Sequence, residues 1–218
     1  LKAHEDELVF AAARSRQHLL TTWPADAERV SIREPGGAEL AGLVFHADGG
    51  GDAFWVLQLH GNADSAFSPW QVRHCEALRQ SGFNVLEIDY RGFGATPGQP
   101  SEAAMYDDAE AAYQALLQRG VAAERIILLG HSLGSGPARI GGVHMPVIIV
   151  HSRADTLIPY SHALKLFAAA NEPKQLVSLD APTHDGFGGH VDALYEHVDV
   201  LQAALAGLVP AMAPPRPL

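Results

Sequence analysis

The sequence predicts an α/β protein: a mainly parallel central sheet with helices on both faces, preceded by an antiparallel hairpin. Three observations carry this. From Phe54 onward, short apolar runs alternate with helical patterns, the signature of strand–helix–strand units. Before that point, Val30–Arg33 and Glu39–Phe45 are strand-like segments separated by the turn signal Pro35-Gly36-Gly37. Finally, the apolar run Ile126–Leu129 reads as a buried strand that stops at Gly130-His131-Ser132-Leu133-Gly134, after which small residues allow a helix to begin at once.

Length and composition bound the rest. The 218 residues suit one domain: an N-terminal helix and linker over 1–27, a core over 28–208 and a Pro-rich tail over 209–218. Apolar residues at 47% and charged ones at 18% describe an ordinary soluble globular protein. A formal charge of −10 argues against nucleic acid or an anionic membrane surface as partner, and against a polyanionic substrate. The lone cysteine, Cys75, excludes an intrachain disulfide framework and reads as core. No apolar run reaches the roughly 18 residues of a membrane span, and no signal-peptide core is visible. The expected location is therefore cytoplasmic, although the chain opens on Leu1 rather than Met and a removed leader stays open.

In order along the chain, Leu8, Val9, Ala12, Leu19 and Leu20 are spaced for an amphipathic helix over residues 5–20. The hairpin follows and Gly49-Gly50-Gly51 closes it. Phe54–Leu59 is a strand ending in His60-Gly61-Asn62-Ala63, and Pro69–Gln80 a helix stopped by Gly82. Asn84–Tyr90 is the next strand, leading into the loop Arg91-Gly-Phe-Gly-Ala-Thr-Pro-Gly98, which lacks a Walker lysine and the dinucleotide glycine pattern. Ser101 and Glu102 open a long helix ending at Gly120. Pro146–Val150 is a strand ending in His151-Ser-Arg-Ala-Asp155, Tyr160–Ala170 a helix and Leu176–Leu179 a last strand before His184. Val191–Leu208 is the closing helix, and the tail after Val209 reads as disordered or loosely packed. There is no internal repeat.

The chemistry centres on Ser132. A serine hydroxyl at neutral pH is a poor nucleophile; it needs a base within hydrogen-bond reach and a third group to fix that base. Three successive strand ends offer Ser132, Asp155 and His184, and in a parallel sheet such ends share one edge. The order Ser, Asp, His is the one associated with a nucleophile elbow. Each member has rivals: a glycine-closed loop with an incidental serine for Ser132, Asp180 and Asp185 for the acid, His190 and His197 for the base. His60 and His131 read as turn-shaping residues. His184, Asp185, His190 and Asp192 match no metal-ligand spacing, so neither metal nor cofactor is expected.

These motifs resemble the α/β-hydrolase-fold serine hydrolases, an esterase- and lipase-like superfamily. The resemblance rests on Leu59-His-Gly-Asn-Ala63, Asp89-Tyr-Arg-Gly-Phe-Gly94, Gly130-His-Ser-Leu-Gly134, Pro146-Val-Ile-Ile-Val-His-Ser-Arg-Ala-Asp-Thr-Leu-Ile-Pro159 and His184, in family order over about residues 28–208. It implies Ser132 as nucleophile, His184 as base then acid, Asp155 as orienting acid, and an oxyanion hole from the backbone N–H groups of Leu133 and Asn62. Because backbone donors need no particular side chain, that of Asn62 is expected to be dispensable. Phe67, Trp70 and Phe187 line an acyl pocket or fill the core. The implied activity is cleavage of a small-molecule carboxylic ester or thioester; the alternatives are a peptidase or amidase of the same fold, or an inactive binding protein. One departure stands out. Leu133–Met145 spans only 13 residues, where relatives carry a longer helix, a further strand and a lid, so a lid and one βα unit are missing, either from the protein or from the sequence near Arg139–Val143.

Overall fold

The computed structural model describes residues 10–48, 53–136, 147–156, 158–180 and 197–212, with the side chains of Val198 and of 208–212 left aside. It divides into two compact units, 1–138 and 139–218.

In the first unit, β1 (Ala27–Arg33) and β2 (Glu39–Phe45) form the expected hairpin, in register from Ala27↔Phe45 to Arg33↔Glu39. Its turn is held by the Glu34 carboxylate, which accepts from the N–H groups of Gly36 (2.7 Å) and Ala38 (3.2 Å). β3 (Trp55–Leu59), β4 (Asn84–Ile88) and β5 (Ile126–Gly130) complete a sheet of order β1-β2-β4-β3-β5. β2 runs antiparallel to β4, while β3 is parallel to both β4 and β5, so the C-terminal ends of β3, β4 and β5 lie at one edge. Every residue of β4 is buried, as expected of a parallel strand covered on both faces.

Residues 5–20 do not form the long helix the apolar spacing predicts. Positions 1–9 lie outside the described residues, and the remainder holds one helical turn, α1 (Ala12–Ser15). Tertiary bonds take over there: Gly94 N–H donates to Ser15 Oγ (2.8 Å), and Arg16 Nη2 donates to Gly92 O (2.6 Å). The two long helices do appear as expected. α2 (Pro69–Gln80) opens with Pro at its start and Ser68 Oγ capping Gln71 N–H; α3 (Glu102–Gln118) opens with Ser101 Oγ capping Ala104 N–H. Each such cap contributes about 1 kcal/mol. α2 turns His74, Cys75 and Leu78 inward, and Cys75 is fully buried, as the sequence suggested.

In the second unit, β6 (Val147–Ser152) and β7 (Lys174–Leu179) pair in parallel as a separate two-stranded sheet, in register from Val147↔Lys174 to Ser152↔Leu179. α4 (Ser161–Ala169) connects them. The closing helix α5 spans Val198–Met212, so 209–212 are helical rather than a disordered tail. The apolar spacing Leu205, Leu208, Val209, Met212 continues a helical period across Pro210. Among the described residues no helix is long and apolar enough to cross a membrane.

Candidate active site

The end of β5 and the end of β3 meet backbone to backbone. A Cβ added to Gly134 would stand 2.1 Å from Leu59 O and 2.8 Å from His60 O, and one on Gly130 would stand 2.6 Å from Gly134 O. Neither position tolerates a side chain, because real Cβ contacts do not close below about 3 Å. His131 N–H donates to Leu59 O (3.0 Å) and Gly134 N–H to His131 O (2.9 Å), tying the turn to β3. Between the two glycines, Ser132 adopts φ +51°, and residues Ser132–Ser135 form a tight 3₁₀ turn. A left-handed backbone at a residue with a Cβ costs about 1–2 kcal/mol, and such strain concentrates at functional sites.

The other non-glycine residue with positive φ among those described is Ala63, at φ +65°, in the loop that follows β3. That loop is tied down by side chains. Asn62 Oδ1 accepts from Ala63 N–H (3.2 Å) and from Ala11 N–H (2.7 Å). Asp64 Oδ1 accepts from Ser65 N–H (2.9 Å) and Ser68 Oγ (2.6 Å), and its Oδ2 from Gln71 Nε2 (2.7 Å). The Asn62 side chain thus bonds both to its own loop and to the N-terminal segment.

In the second unit, Asp155 follows β6 and is 8% exposed. Its Oδ1 accepts from Ile158 N–H (2.8 Å), and its Oδ2 lies 3.3 Å from His151 Nε2, which also sits 2.9 Å from Ile158 O. The pairing of His151 with Asp155 has no counterpart in the sequence reading. Asp180, a rival for the acid, is 73% exposed and paired with Arg153 at 3.0 Å. His184, Asp185, Phe187, His190 and Asp192 lie outside the described residues; His197 stands immediately before α5 and is half-buried.

Of the pocket candidates, Phe67 is buried with its ring edge-on to Trp23 at 5.6 Å, whereas Trp70 is 59% exposed. Burial lowers the His74 pKa to about 4, with nearby His131 adding to the effect, so this imidazole is neutral at physiological pH. Burial and the carboxyl of Glu87 push the Cys75 thiol up, leaving it an inert core residue. Among the described residues no cluster of three or more His, Cys, Asp or Glu side chains could hold a metal ion.

Comparison with solved structures decides the fold. An esterase of Pyrococcus furiosus, Pf2001, superposes with a TM-score of 0.73 at 17% identity, over 91% of this chain and 100% of that one. The chain has the α/β-hydrolase fold. XC6422 of Xanthomonas campestris, described as an α/β serine hydrolase without lid, shares this hydrolase fold with a TM-score of 0.66 at 15% identity, again over 91% of this chain and 100% of that one. The family model described as serine aminopeptidase, S33, matches residues 54–140, which carry both the loop after β3 and the elbow. The uncharacterized protein YfhR of Escherichia coli O157:H7 is 26% identical over 239 residues, 85% of this chain and 81% of the relative. That aligned span exceeds the 218 residues of this chain, so the relative carries residues within it that have no counterpart here.

Proposed function

We propose that this hydrolase-fold chain is a serine hydrolase that cleaves a carboxylic ester or thioester through an acyl-enzyme. Ser132 Oγ attacks the carbonyl carbon while His184 takes its proton; the resulting oxyanion is held by the N–H groups of Leu133 and Asn62. Collapse expels the alcohol or thiol, which receives the proton from His184, and water then releases the acid by the same steps. Asp155 fixes the His184 tautomer and stabilises its cation. Of the two described pocket candidates, Trp70 is the one with surface to offer an acyl group.

The observation that carries this reading is the left-handed backbone of Ser132 between Gly130 and Gly134, neither of which has room for a Cβ. A strained serine in the tight turn after a strand gains nothing for folding, and its cost is explained by exposing a hydroxyl. The test is turnover of short p-nitrophenyl esters by wild type and Ser132→Ala. Loss of turnover in the variant is expected; equal turnover refutes the assignment.

A second reading, peptidase or amidase, is favoured by the description of the matching family model. It differs in the leaving group alone, and an aminoacyl p-nitroanilide run beside the esters separates the two. Turnover of neither substrate class, with no covalent labelling of Ser132, favours a binding protein.

A further inference from the structure

The loop after β3 begins and ends on one buried carboxylate. Asp89, fully buried at the end of β4, accepts at Oδ1 from Ala66 N–H (2.7 Å) and at Oδ2 from Ser65 Oγ (3.0 Å) and Ala95 N–H (2.7 Å). Its Oδ1 also stands 3.4 Å from Nε2 of His60, itself fully buried. The loop running from His60 to Ala66 is thus gripped at both ends by the same group. The grip is close: a Cβ on Gly94, in the facing loop, would lie 2.0 Å from Asp89 Oδ2.

The surroundings of His60 set its charge. Nδ1 faces the carbonyl oxygen of Gly61 at 2.9 Å and must carry a hydrogen to satisfy it. A neutral ring would then turn a bare Nε2 lone pair toward a carboxylate oxygen, two acceptors facing each other in a fully buried setting. Adding a proton to Nε2 converts that repulsion into an ion pair, though at 3.4 Å it is longer than a well-formed hydrogen bond.

We propose that His60 is a positioning residue, held as an imidazolium against Asp89, that fixes the loop bearing Asn62 and Ala63 in the shape an oxyanion requires. The inference rests on the serine-hydrolase reading, since it assigns His60 a part in that same site. The charged and titratable groups around it agree. From β4, Asp89 supplies the counter-charge, while Glu87 is raised to about 8, chiefly by burial, and carries little charge at neutral pH. Tyr90 donates its hydroxyl to His60 O (3.3 Å) and lays its ring against the imidazole, with Phe93 on another side. Although burial opposes it, the Asp89 carboxylate raises the His60 pKa. From the elbow, His131 comes close to Gly61: a Cβ there would lie 2.9 Å from His131 Nδ1.

The experiment is NMR of ¹⁵N-histidine-labelled protein, with His60→Gln to assign the resonance, beside pH–rate profiles of wild type, His60→Gln and Asp89→Asn on a p-nitrophenyl ester. At pH 7 His60 keeps both ring nitrogens protonated, and it loses the second proton only at a higher pH than a free imidazole does. Wild-type kcat falls on an alkaline limb that both variants lack, and at pH 7 each variant loses about tenfold in kcat with KM within about twofold, as expected when an interaction made in the transition state is weakened. A neutral His60 at pH 7, or an unchanged alkaline limb in the variants, overturns the proposal. If His60→Gln does not fold, the wild-type histidine spectrum and Asp89→Asn decide the matter. Wild type without turnover refutes the hydrolase reading, a result distinct from a neutral His60.

Discussion

Substituting Gly134 by alanine tests how the elbow is built. The new Cβ would lie 2.1 Å from Leu59 O, 2.7 Å from Leu59 C and 2.8 Å from His60 O, all backbone atoms at the end of a central strand. Relief to an ordinary contact of about 3.4 Å requires more than 1 Å of separation between the elbow and β3, which breaks the bond from His131 N–H to Leu59 O. Overpacking of this kind costs about 1–3 kcal/mol, and with the lost hydrogen bond about 2–4 kcal/mol is expected. For a chain of this size that is a drop in Tm of roughly 4–16 °C. A displacement of about 1 Å at a nucleophile also costs about 10²-fold in rate. Gly136→Ala is the control, because among the described residues its Cβ would meet only Leu133 O, at 3.3 Å. The assays are thermal unfolding and kcat/KM on p-nitrophenyl butyrate. If Gly134→Ala matches Gly136→Ala in both, the close backbone contact is not what holds Ser132 in place.

Other expected outcomes follow from the same geometry. Asn62→Ala removes the acceptor for Ala63 and Ala11 N–H and is expected to cost about tenfold in kcat/KM with folding retained; unchanged kinetics would show that the loop keeps its shape without that tie. Asp155→Asn is expected to lower kcat by about 10³-fold or more, while Asp180→Asn, an exposed surface carboxylate, leaves it within twofold; equal effects would contradict the choice of acid. Stability is expected to fall with rising pH between about 4.5 and 8, because folded Glu87 keeps a proton that the unfolded chain has released. The raised His60 pKa adds a loss in the same direction: its contribution is complete below about 6.5 and disappears as pH climbs through the folded value. Unfolding of Glu87→Gln followed from pH 5 to 9 should show a flatter profile than wild type, and an identical profile would remove Glu87 from the account.

Strand–helix alternation made the five strands from β3 onward legible to within a few residues, because buried parallel strands are apolar runs bounded by glycine or polar loops. What escaped was set by tertiary bonds. The N-terminal apolar spacing suits a helix, but Ser15 and Arg16 spend their polar atoms on Gly94 and Gly92, seventy-odd residues away, and the helix stops after one turn. The last helix runs past the expected end at Leu208, through Pro210 to Met212. The tight turn at Ser132 and its glycines could be read from the chain because the apolar strand and the Gly-x-Ser-x-Gly turn are local. His60 and Asp89 could not: a histidine before glycine and an aspartate at a strand end look like turn residues until folding buries both on the same loop. His151 escaped for a similar reason, since its approach to Asp155 arises from the turn after β6 rather than from any helical period.

The central claim is that Ser132 is the nucleophile, and the most direct measurement is peptide mapping by mass spectrometry after reaction with a fluorophosphonate. The account predicts one covalent adduct per chain, on the peptide containing Ser132, absent from Ser132→Ala. Labelling of another residue, or equal labelling of the variant, would contradict it.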